Sequence, residues 1–168
     1  MRFFVDQIAD RLFEIERRSL EMLATLDDAT LYLRPEGSRD SLFPFSCGEY
    51  IVRSAATIEK TFGGITTRLW DDPFEWTLPE KLSTIESVTK YLDEVAATRD
   101  RGLAFLTSDD DLKRMIPAPE ELRSLANILL DTIAASEQLL GKAEAFREII
   151  QAVSKKSAEG TLEVSPMR

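Results

Sequence analysis

Four stretches of the chain carry apolar residues at the three-and-four spacing of an amphipathic helix. In the first, about Phe4–Leu26, the residues Val5, Ile8, Leu12, Ile15, Met22 and Leu26 form one stripe, with Ser19 filling the step between Ile15 and Met22. Charges occupy its other face. The second runs about Cys47–Leu69. Ser46 precedes it with Glu49 three residues on, the spacing of a capping box, and Phe45 and Tyr50 stand where a hydrophobic staple closes over the cap. Gly63-Gly64 falls late in this helix and weakens it by about 1 kcal/mol per glycine relative to alanine. Close packing is the expected compensation, and a kink is the alternative. The third stretch runs about Thr84–Leu106, with Ser83 and Glu86 repeating the capping-box spacing and Ile85, Val88, Leu92, Val95, Leu103 and Leu106 as its stripe. The fourth runs about Glu120–Val153. Pro119 suits its first turn, and Leu122, Leu125, Leu129, Ile133, Leu140, Phe146, Ile149 and Val153 are its apolar positions.

β-branched alternation is absent, so no strand is predicted. Four amphipathic helices cannot bury their stripes singly, and a four-helix bundle, an all-α fold, is the economical solution. The bundle is assigned to residues 1–153. Residues 154–168 are polar, small and aperiodic, and read as a flexible tail. The first and third connections exceed the few residues usual in bundles, which points to crossovers or to function. Both tryptophans fall in the loop Trp70-Asp-Asp-Pro-Phe-Glu-Trp76. Trp70, Phe74 and Trp76 either wall a ligand cleft or anchor the loop on the core.

Composition narrows the partners. The chain has 168 residues, 43% hydrophobic and 30% charged, enough for one sizeable core. Its net charge of −9 repels phosphate backbones and anionic lipid, so neither nucleic acid nor an acidic membrane is an expected partner. Arg11, Arg17 and Arg18 make the first helix locally basic, which pairing with Asp10, Glu14, Glu16 and Glu21 one turn away accounts for. No apolar run approaches the ~20 residues that span a bilayer, and Asp6 and Asp10 interrupt any signal-peptide reading. A single cysteine, Cys47, forms no internal disulfide, and a cytoplasmic location is expected. The chain has no histidine. That removes the commonest metal ligand and every His-based triad.

Three ordered segments carry a family resemblance. Thr25-Leu-Asp-Asp-Ala-Thr-Leu-Tyr-Leu-Arg-Pro35, Phe45-Ser-Cys-Gly-Glu-Tyr-Ile-Val52 and Trp70-Asp-Asp-Pro-Phe-Glu-Trp76 resemble, in order and spacing over roughly residues 5–150, the DinB-like family. The resemblance implies an up-down-down-up four-helix bundle, often dimeric. Related members include thiol-dependent transferases and the mycothiol-dependent maleylpyruvate isomerase. Those hold a divalent metal between one histidine of helix two and two of helix four, four residues apart. In this sequence the matching positions are Arg53, Thr132 and Ser136. Arginine stays protonated and cannot coordinate a cation, and neutral hydroxyls bind such metals poorly beside imidazole. The resemblance therefore implies a degenerate metal site with no metal or other cofactor, in a chain expected to form a homodimer.

Two readings of those positions stand. Arg53 offers a bidentate fork to a carboxylate or phosphate, with the Thr132 and Ser136 hydroxyls orienting it. Alternatively, Arg53 is a structural cation paired with Asp131 or Glu59. A metal site made only of Glu59, Asp131 and Glu137 lacks the Glu-x-x-His pair that bundle carboxylate sites use, and solvated or helix-paired acids are the plainer reading. Cys47 lies in a first helical turn, which favours thiolate, but Glu49 opposes it. No Gly-rich phosphate loop or nucleophile elbow is present. The expected function is that of a metal-free bundle binding a small anion or a partner, not a metalloenzyme. The alternative is a thiol-dependent S-transferase acting without the usual metal.

Overall fold

The computed structural model describes residues 1–34, 44–71 and 81–160, the stretch 153–160 as backbone only. Five helices lie among them: α1 (Phe3–Leu23), α2 (Asp28–Leu31), α3 (Cys47–Thr67), α4 (Ile85–Leu103) and α5 (Leu125–Gly160). A 3-10 turn, Asp109–Lys113, and an antiparallel pair of short strands, β1 (Met115–Pro117) and β2 (Leu122–Ser124), join α4 to α5. The predicted stripes become the core. Val5, Leu12, Ile15 and Met22 of α1, Val88, Leu92 and Val95 of α4, and Leu125, Leu129 and Leu140 of α5 are buried around α3, whose Tyr50, Ile51 and Phe62 are buried too. Each such side chain contributes about 1.5–3 kcal/mol by leaving water, so the stripes, not exposed ion pairs, hold the helices together.

Contacts fix the helix directions pairwise. Asp109 N–H donates to the Met1 carbonyl, Arg99 reaches Glu16 at 2.6 Å, and Ile85 N–H donates to Asp28, so α1 and α4 run antiparallel. Cys47 lies against Ala143, Ser54 against Ser136 and Thr61 against Thr132, so α3 and α5 run antiparallel. Where α3 and α4 cross, a Cβ at Gly102 would collide with the buried Phe62 ring. At the end of α3, Gly64 receives the Trp70 ring, and Arg68 turns the chain with φ 61°. Gly64 thus serves close packing, whereas a Cβ at Gly63 would meet only the Leu69 carbonyl at 3.4 Å.

Three expectations need correction. The chain does contain strands. Pro117 and Pro119 cannot donate a helical hydrogen bond, and the segment instead folds back, with Ala118 N–H on the Glu121 carbonyl and Leu125 N–H on the Arg114 carbonyl. For the same reason α5 starts at Leu125, not Glu120, and Leu122 lies exposed on β2. Helix α4 is capped by Thr84 and Ser87, one residue after the predicted Ser83 and Glu86. The first connection contains α2, capped by Asp27 with Thr30 in a reciprocal box. In addition, α5 continues past Val153 to Gly160, and residues 161–168 lie outside the described residues.

Candidate functional site

The start of α3 is built as its sequence predicts. The Ser46 hydroxyl accepts from Glu49 N–H at 3.2 Å, and Glu49 returns the bond to Ser46 N–H at 2.8 Å. Arg34 chelates the same carboxylate with both contacts at 2.5 Å. Burial would push the Glu49 carboxyl up, but the Ser46 N–H, Arg34 and the Ser46 hydroxyl together hold it below its ordinary value. Over this cap the Phe45 and Tyr50 rings meet edge to face at 5.5 Å, the predicted staple.

Arg53 lies over the Phe45 ring, its guanidinium carbon 3.9 Å from the centroid, a cation–π contact. Neither predicted carboxylate partner reaches it. Glu59 accepts from the Tyr91 hydroxyl at 2.5 Å, and Asp131 pairs with Arg123. Among the described residues the buried Arg53 Nε has no hydrogen-bond partner, nor does the hydroxyl of Tyr50, a residue only 1% exposed. The Phe45 backbone N–H acts on the phenol oxygen and opposes the rise of its pKa, while no acceptor for the phenol proton lies among the described residues. Burial raises the Tyr50 pKa, with Glu49 adding to the rise and Arg34 and Arg53 opposing it. Phe45, Tyr50 and Arg53 therefore form one cluster in which two donors lack an acceptor.

Thr132 and Ser136 do not join that cluster through any hydrogen bond. They face α3 and are consumed there. The Thr132 hydroxyl meets the Thr61 hydroxyl at 2.7 Å and its own helix's Ile128 carbonyl at 2.7 Å. Ser54 and Ser136 exchange bonds across the seam: the Ser54 hydroxyl donates to the Ser136 carbonyl at 2.9 Å, and the Ser136 hydroxyl to the Ser54 carbonyl at 3.2 Å. All four residues are buried. The residues at the positions implied for a divalent metal thus do not fit one: a guanidinium supplies no lone pair, and both hydroxyls are spent on protein acceptors. Nor does any group of three or more acidic or thiol side chains among the described residues converge on a point.

Cys47 itself is not placed to act as a thiolate. Cys47 is fully buried, its Sγ 3.5 Å from Met22 Sδ, and burial pushes the thiol up to about 12, only partly opposed by Arg147. Such a group is not a nucleophile near neutral pH. Arg147 itself has a buried Nε without a hydrogen-bond partner among the described residues. Of the tryptophan loop, Trp70 is anchored by its Nε1–H on the Pro117 carbonyl at 3.2 Å; Phe74 and Trp76 lie outside the described residues.

Sequence reasoning named Arg53 but gave Tyr50 only a packing role and passed over Ser54, Thr61 and Arg147. Cys47, Ser54 and Thr61 recur every seven residues, and Arg147 follows Ala143 by one turn on the buried side of α5; both signals were readable as a close-packed seam with a cation at its end. No helix among the described residues is long and apolar enough to cross a membrane. Comparison with known proteins returns no match: no family model fits the sequence, and no curated protein or solved structure matches it.

Proposed function

We propose that this chain is a DinB-like bundle that binds a small anion at Arg53 and Tyr50 and has no resident metal. The observation that carries the reading is the pair of buried donors, Arg53 Nε–H and Tyr50 O–H, set about one aromatic ring with no acceptor for either among the described residues. Buried donors left unpaired cost stability, so water or an anion completes them. A carboxylate or phosphate oxygen suits both, because a charged acceptor strengthens each bond and the guanidinium supplies the counter-charge. The family reading draws support from the helix order. Leu31 packs on Gly48, Asp28 bonds Ile85 and Met1 bonds Asp109, contacts that fit an up-down-down-up path. A homodimer belongs to the same proposal, with Phe13, exposed on α1, available to it. Light scattering that gives a mass near 19.0 kDa removes the dimer from it.

Benzoate and inorganic phosphate are suitable probes. A ligand that binds only the folded state raises Tm with its concentration. We expect at least one probe to do so, Arg53→Gln to abolish the rise, and Tyr50→Phe to reduce it. Gln removes the guanidinium that lies over Phe45, so an unchanged helical circular-dichroism spectrum and an unchanged ligand-free Tm in Arg53→Gln separate loss of binding from loss of folding. No rise with either probe, or an equal rise in Arg53→Gln, defeats the reading.

A further inference from the structure

Between α1 and α5, away from the Arg53 cluster, lies an open apolar trough of about 950 Å³, a volume in the range of small-molecule sites. Ile8 and Leu112 are its buried members, while Phe4 and Leu130 stand 61% and 57% exposed at its rim. Both ends are crossed. The 3-10 turn packs on α1 and on α5 at one end. At the other, Arg18 spans the gap to Glu137 at 2.6 Å and Glu144 at 2.8 Å. From Ala126 to Glu137, the α5 wall rises about 16 Å. A trough of finite length suits a molecule that ends within it better than a partner helix that must run on.

The charges along the trough are engaged, with one exception. Asp109 accepts the Phe4 and Val5 N–H groups, Lys113 pairs with Asp110 at 2.7 Å, and Glu137 is held by Arg18. Arg11 lines the trough without a hydrogen bond or ion pair among the described residues; Glu14, whose oxygens Arg17 holds, acts on it only through space. An occupant must therefore be apolar along its length and negative at the Arg11 end.

We propose that this trough binds an amphipathic anion, a carboxylate on a medium-length alkyl body, with the head group on Arg11 and the body over Ile8, Leu112 and Leu130. The site is separate from Arg53 and stands or falls without it. Decanoate, kept below its micelle concentration, is the probe, with decan-1-ol as its uncharged counterpart and displacement of anilinonaphthalene sulfonate fluorescence as the signal. Decanoate is expected to saturate the full chain. Arg11→Gln should weaken decanoate by about tenfold and leave decan-1-ol unchanged. Leu130→Asp should weaken both while keeping the helical circular-dichroism spectrum, since Leu130 is exposed. Arg53→Gln should keep decanoate binding intact. Absence of saturation, or binding indifferent to Arg11→Gln, overturns the proposal. So does decanoate binding lost in Arg53→Gln and kept in Arg11→Gln, which moves the head group to the other site. A light-scattering mass of two chains that Leu130→Asp returns to one, with no decanoate uptake, overturns it in favour of a second copy of the chain.

Discussion

Helix α5 meets α3 and α1 in opposite ways. Toward α3 it presents Thr132 and Ser136, and the facing residues are Thr61 and Ser54. These small side chains let the two backbones approach until hydroxyls bond across the seam, and all four residues are buried. Toward α1 it presents Ala126, Leu130 and Ile133 across an open trough, and the gap is bridged by the long Arg18 side chain. The difference teaches where to look for chemistry. Buried polar residues at the positions of an implied metal look like a site by spacing, yet they satisfy one another and have nothing left to offer a ligand. The unfilled hydrogen-bonding capacity among the described residues lies at the Arg53 Nε and the Tyr50 hydroxyl on one side of α3 and at Arg11 in the trough.

The strongest test of the contrast puts a misfit on each face of α5. Ser136→Leu forces a large side chain into the seam and should cost about 3 kcal/mol, read from urea unfolding. Leu130→Asp, on the exposed rim, should cost no more than about 1 kcal/mol. Equal losses would erase the distinction between the two faces.

A smaller effect tests whether the seam hydroxyls satisfy each other. Thr132→Val strands the Thr61 hydroxyl and should cost about 1–2 kcal/mol, while the Thr61→Val, Thr132→Val double variant should recover part of that loss. Additive losses in the double-mutant cycle would refute the pairing.

The third prediction concerns acid. The Glu49 carboxyl is held below its unfolded value of 4.5, so its stabilising effect is complete above that pH and is lost as pH falls through the lower, folded value. Urea midpoints should drop on acidification through this range, and Glu49→Gln should flatten the drop. An unchanged pH profile in Glu49→Gln would show that the cap with Ser46 and Arg34 carries no linkage. The smallest effect belongs to Arg11→Gln, which should change stability by less than about 0.5 kcal/mol; a larger loss would mean that Arg11 already has a structural partner.

The sequence alone determined the all-α class, the four stripes and the start of α3. Each of these is written in residues within about a turn and a half of one another: Ser46 with Glu49, Phe45 with Tyr50, Ile8 with Leu12, Leu12 with Ile15. Tertiary structure decided what such local patterns cannot hold. Helix α1 begins at Arg2 with no side-chain cap of its own, and Asp109 supplies the acceptor from more than a hundred residues away. Asp28 likewise receives the first N–H of α4. The rotation of each helix about its axis was also undetermined, because a stripe specifies which residues turn inward but not which neighbour they meet. That rotation turned Thr132 and Ser136 onto α3, left Arg53 on Phe45 without a carboxylate, and opened the trough beside Arg11. Spacing along the chain fixes periodicity, but only the packing of one helix on another decides which polar groups find partners and which remain available to a ligand.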